Sequence, residues 1–172
     1  MSETAGPPDG RATRFLHVPK TAGTSVNVFL DRFFPVSSMW IFEDNLTFEE
    51  NLALLRSLDP ARRRAIRLFR GHAPFVTGEP DVDGARTFTL LREPVQRVMS
   101  YCCHVAEGKS EIVRKEFPPE TFDLRTFLGS GLRELHDLQT RMLLGEALYA
   151  ELLRQPSEAA FRAAPVSYTH LT

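Results

Sequence analysis

The sequence predicts an α/β fold with a central, mainly parallel sheet flanked by helices and a helix-rich C-terminal half. Three observations lead there. Short apolar runs at 14–18, 65–72 and 86–92 have the length and composition of buried strands. Helix-start signals follow the first and third runs directly, so strands alternate with helices. The chain has 172 residues, of which 42% are hydrophobic and 25% charged, which suits one globular domain with a real core.

Taken in order, residues 1–13 are polar and rich in Pro and Gly, and read as a disordered leader ahead of a domain spanning 14–164. Arg14 to Val18 is the first strand, ended by Pro19. Thr24 or Ser25 can cap a helix through VNVFLDRFF, which Pro35 stops. Thr47-Phe-Glu-Glu50 has the form of a capping box, opening a polar helix to about Leu58 that Asp59-Pro60 breaks. The second strand, 65–72, opens into a loop at Gly71, and 77–84 is dense in turn formers.

The third strand, 86–92, runs into Glu93-Pro94, an acid and a proline suited to a helix start. That helix should reach about Val105, with Val95, Val98, Met99 and Cys102 on its buried side. After Pro118-Pro119 the pattern is helical: TFDLRTFLG, LRELHDLQTRMLLG and EALYAELLRQ.

The net charge of −1 argues against a general nucleic-acid or membrane-surface binder, since both need a positive field. Any anion site must be local. Adjacent Cys102 and Cys103 read as small helix side chains rather than a disulfide or a zinc site. No signal peptide or membrane span is evident, so a cytoplasmic, reduced protein is expected.

Chemistry concentrates in 15-FLHVPKTAGTSVNVFL-30. A strand, a tight turn and a helix leave the first helical N–H groups pointing into the turn, a cradle for a phosphate-like anion. Lys20 adds a positive charge at the mouth, and Thr21, Thr24 and Ser25 add hydroxyls. Ala22 and Gly23 complete the turn, with Gly23 allowing close backbone approach. The Walker order is absent, because the lysine precedes the glycine. The plain alternative is a capped turn with a solvated lysine.

PKTAGTS after a strand resembles the 5'-phosphosulfate loop of sulfotransferases that use 3'-phosphoadenosine 5'-phosphosulfate (PAPS). The likeness is to the carbohydrate (heparan/uronyl) 2-O-sulfotransferase branch and its bacterial relatives. The stretch 90-LLREPVQRVMSY-101 is similar to the family's 3'-phosphate segment, which makes Arg92 and Ser100 the ligands of that phosphate. Arginine's planar fork suits phosphate oxygens, at the usual ligand edge of a parallel sheet.

In 70-RGHAPF-75, a Gly-His pair after a strand stands where this branch carries its catalytic base, which implies His72. An imidazole is well matched to deprotonating a hydroxyl near neutral pH. Lys20 would neutralise charge on the oxygen leaving the sulfuryl group. The segment 137-DLQTRMLLG-145 is similar to one near the acceptor site of relatives, so Gln139 and Arg141 are expected to bind a polyhydroxyl or carboxylate-bearing acceptor.

His17 reads as a packed residue of the first strand, and His104 and His136 as helix-surface residues. The basic run Arg62-Arg63-Arg64, with Arg67 and Arg70, suits an acidic glycan or a solvated helix end.

The resemblance implies a P-loop-like three-layer fold, PAPS as donor, adenosine 3',5'-bisphosphate as product, a carbohydrate or other hydroxyl acceptor, and no metal. Family members continue beyond the Gln-Thr-Arg helix with further structure, whereas this chain stops at 165-PVSYTHLT-172, a segment that looks like a translated sequencing adapter. A C-terminally truncated sulfotransferase with a non-native tail at 165–172 is therefore expected. Two rivals stand beside it: a Mg²⁺-dependent nucleotide or small-molecule kinase, and a non-catalytic nucleotide-binding fragment.

Overall fold

The computed structural model describes residues 10–154; the leader before residue 10 and the 165–172 tail lie outside the described residues. Four short strands, β1 (Thr13–Leu16), β2 (Met39–Phe42), β3 (Leu68–Gly71) and β4 (Arg86–Thr89), form one all-parallel sheet in the order β2-β3-β1-β4. Eight α-helices are described: α1 (Gly23–Leu30), α2 (Phe48–Ser57), α3 (Pro60–Arg64), α4 (Pro80–Asp83), α5 (Pro94–Ala106), α6 (Leu124–Gly129), α7 (Leu138–Leu144) and α8 (Glu146–Arg154). The predicted α/β fold is the observed one. No described helix is long and apolar enough to cross a membrane.

Strand alternation distributes the core over two faces. Phe15, Met39 and Leu68 pack with Leu30 of α1. Phe42 and Phe69 pack with Leu52 and Leu55 of α2 and with Val82 of α4. The end of β1 is covered separately, where Leu16 and Val18 meet Leu138, Met142 and Leu143 of α7. Helices thus lie on both faces of the sheet, as a parallel sheet requires.

The capping box at Thr47 and Glu50 forms as expected, with both reciprocal bonds present. Asp59-Pro60 does end α2, but Asp59 then caps α3 through the Ala61 and Arg62 N–H groups. Elsewhere the structure corrects the reading. β2 is an edge strand of four residues, MWIF, too short to stand out beside Pro35 and the turn after Phe42. β4 stops at Thr89, so Leu90 to Glu93 leave the sheet before the helix begins. The predicted helix across LRELHDLQTRMLLG is split, because Asp137 is left-handed (φ 48°) and separates a short 3-10 turn from α7.

The buried face of α5 differs in part from expectation. Cys102 is buried and Val98 partly buried, as expected, but Val95 and Met99 are 67% and 49% exposed, and Arg97, Tyr101 and Val105 turn inward. Tyr101 and Val105 pack with Val113, Phe117, Phe127 and Leu135, so the helix leans on the C-terminal segments rather than on β4.

Candidate functional site

β3, β1 and β4 are adjacent and parallel, and Gly71, Leu16 and Thr89 lie in register at their C-terminal ends. Each strand therefore delivers its motif to one edge of the sheet: His72 after β3, the Lys20 loop after β1, Arg92 after β4. That edge is where ligands bind in open parallel sheets.

The loop after β1 is built from the backbone. Lys20 and Ala22 both take left-handed conformations (φ 70° and 68°), which cost non-glycine residues on the order of 1 kcal/mol each or more. Ala22, not Thr24 or Ser25, is the cap residue of α1, and no side chain or first-turn acid caps the helix. Thr24 and Ser25 stand exposed inside its first turn. The hydroxyl of buried Thr21 donates to the Val18 carbonyl at 2.8 Å, closing the turn on itself.

Gly23 is buried, and a Cβ there would come within 1.8 Å of His17 Nε2. The close approach that requires glycine is thus to the His17 ring. That ring stacks on Phe15 at 5.5 Å and lies 4.2 Å from His72, centroid to centroid. Burial, and secondarily His72, push the His17 pKa down to about 4, so it is neutral at physiological pH.

His72 is exposed, with Nδ1 2.6 Å from the His17 carbonyl oxygen. A carbonyl only accepts, so Nδ1 carries the proton and the lone pair of the neutral ring is on Nε2. Asp44 Oδ2 stands 3.8 Å from Nε2.

The loop that begins at His72 is braced from beneath by Arg14, which is 1% exposed. Its guanidinium donates to the carbonyls of Pro74 and of Phe75 (2.7 Å) and lies 3.7 Å from Asp83. Burial lowers its pKa to about 10 despite Asp83. Asp83 in turn accepts from Thr77 and Gly78. Sequence reasoning missed this role; a lone charge inside an apolar run, as in RFLHV, is the signal that points to it.

On the β4 side, Arg92 is exposed and its Nη1 reaches the Lys20 carbonyl at 3.5 Å. Glu93 caps α5 by accepting from Val95 and Gln96, so its carboxylate is engaged there. Ser100 is half-buried and lies about 9 Å along α5 from its start. Lys20 is held below the ordinary lysine value, first by burial, then by Lys109, with a smaller push from Arg92; Glu107 opposes this. His104 is lowered by burial, then by Lys20 and Lys109. Lys109, itself paired with Glu107 at 2.6 Å, thus adds a positive charge near Lys20 that the sequence reading did not foresee; its place just after the last turn of α5 was the available hint.

Gln139 pairs its side-chain amide with the backbone of Arg92 at both ends, 2.8 Å each. Arg141 pairs with Glu146 at 3.2 and 3.0 Å and lies over the Tyr149 ring at 5.4 Å. Both residues of the expected acceptor segment are therefore engaged within the fold. The basic run is likewise engaged: Arg62 with the carbonyls of Ser37 and Met39, Arg63 with Glu79 and Asp81, Arg70 with Asp31.

The arrangement can hold a dianion between an uncapped helix N-terminus and two cationic side chains, with an imidazole base on the neighbouring strand. Comparison with family models, with curated proteins and with solved structures finds no match.

Proposed function

We propose that this chain is a PAPS-dependent sulfotransferase acting on a hydroxyl, on a carbohydrate in the first instance. The observation that carries the reading is the convergence of the Lys20 loop, His72 and Arg92 at the ends of three adjacent parallel strands. The donor set fits a bisphosphorylated nucleotide: unpartnered N–H groups at the start of α1, Lys20 beside Arg92, and no acid in the first turn of the helix. When bound, PAPS would supply an activated sulfuryl group on its 5'-phosphate.

The residues then divide the work. The backbone of 21–25, with Thr24 and Ser25, cradles the phosphosulfate, and Arg92 with Ser100 takes the 3'-phosphate. His72 Nε2 removes the acceptor's hydroxyl proton as the oxygen attacks sulfur, and its Nδ1–H bond to the His17 carbonyl holds the ring in the productive tautomer. Lys20 neutralises the phosphate oxygen released when the old S–O bond breaks.

Two measurements test this. Adenosine 3',5'-bisphosphate at about 100 times its dissociation constant should stabilise the fold by roughly 2.7 kcal/mol in a thermal melt. Stabilisation by ADP with Mg²⁺ alone would replace this reading with a kinase. His72→Ala should then lower transfer from PAPS by about 10²- to 10⁴-fold with bisphosphate affinity unchanged. Binding without transfer in the wild-type chain would mark a nucleotide-binding module.

A further inference from the structure

We propose that Gln139 is a positioning residue that fixes the backbone of Arg92 and thereby sets where the 3'-phosphate is gripped, an inference that rests on the donor-nucleotide reading above. The Arg92 N–H donates to Gln139 Oε1 at 2.8 Å, and Gln139 Nε2 donates to the Arg92 carbonyl at 2.8 Å. The pattern is that of one rung of a β ladder, supplied by a side chain 47 residues away.

Arg92 stands where the fold gives it little else. β4 ends at Thr89 and α5 begins at Pro94, leaving Leu90 to Glu93 exposed between them. Its guanidinium contact to the Lys20 carbonyl is long, at 3.5 Å. Gln139, by contrast, sits on a seated helix. Leu138, Met142 and Leu143 are buried against Leu16 and Val18, and the Phe75 N–H donates to the Met142 carbonyl at 2.9 Å.

A core-anchored helix therefore holds an exposed loop by its backbone, which leaves the guanidinium to meet an anion. Only a primary amide of this length offers the required acceptor and donor together. Asparagine is one methylene shorter, and glutamate would set an oxygen against the Arg92 carbonyl.

The test uses the full 172-residue chain and calorimetric dissociation constants for adenosine 3',5'-bisphosphate and adenosine 5'-monophosphate. The ratio of the monophosphate constant to the bisphosphate constant isolates the contribution of the 3'-phosphate. Gln139→Ala should lower that ratio about tenfold while monophosphate affinity changes less than about twofold. Gln139→Glu should lower it at least as far. An unchanged ratio, or equal losses for both nucleotides, overturns the proposal, since a structural staple would weaken both alike. If Gln139→Ala does not melt cooperatively, Gln139→Glu decides by the same criterion. A wild-type ratio near one overturns the donor-nucleotide reading and this inference with it. A high wild-type ratio that survives in both variants overturns the role of Gln139 alone.

Discussion

β3 and β4 flank the same central strand in the same register, yet they live in different surroundings. β3 lies between β1 and β2, and its Phe69 is 1% exposed within the cluster under α2 and α4. β4 is an edge, its Phe88 is 38% exposed, and Leu90 and Leu91 just beyond it are exposed as well. The loop after β3 is wired to the core through Arg14 and Asp83, whereas the segment after β4 is held at its backbone by Gln139. Equal backbone pairing therefore does not confer equal support. In the proposed site the base side is tied to a buried arginine, while the 3'-phosphate side is tied to one side chain of a distant helix.

Substitutions along the two strands should separate these environments. Phe69→Ala is expected to cost about 3–5 kcal/mol in urea unfolding, because it empties a closed core position. Arg14→Met should follow at roughly 2 kcal/mol, since it leaves the partly buried carbonyls of Pro74 and Phe75 without their donor and removes the charge 3.7 Å from Asp83. A loss below 1 kcal/mol for Arg14→Met would mean that the His72 loop is not braced by this charge.

Acid should probe the same side. The His17 pKa falls from 6.5 to about 4 on folding, so between those values the unfolded chain binds more protons. The stability it contributes is complete above about pH 6.5 and is lost as pH falls toward 4. The free energy of unfolding should drop over this window by at most about 3 kcal/mol, at about 1.4 kcal/mol per pKa unit, and the thermal midpoint should fall with it. His17→Phe, which keeps the stack on Phe15, should flatten that part of the profile.

The smallest effect belongs to the edge. Phe88→Ala should cost about 1 kcal/mol, chiefly its stack on Phe15 at 5.1 Å. If Phe88→Ala matched Phe69→Ala, β4 would be covered in solution and the contrast between the strands would fail.

Much of this organisation was legible in the chain. The capping box of α2, the helix start at Glu93-Pro94 and the turn after β1 depend on residues close in sequence, whose local hydrogen bonding carries its own signature. The face of α5 was legible only in part (Val98 and Cys102), because apolar spacing shows that a helix has a buried side but not which neighbour buries it. Arg97 and Tyr101 turn inward since α5 meets the cluster around Phe127, and nothing in PVQRVMSYCCHVA encodes that partner. The engagement of Gln139 with Arg92, and of Arg141 with Glu146, was hidden for a related reason: a polar side chain is read as available until the fold shows what it already bonds.

By itself, then, the sequence determined the alternation of strands and helices and the chemical content of each strand end. Short-range patterning and turn chemistry suffice for that. The tertiary structure alone decided that three strand ends share one edge, that His17 lies against Gly23 and His72, and that a helix residue clamps the Arg92 loop. Those relations join residues tens of positions apart, and only the closure of the chain around its core brings them within bonding distance.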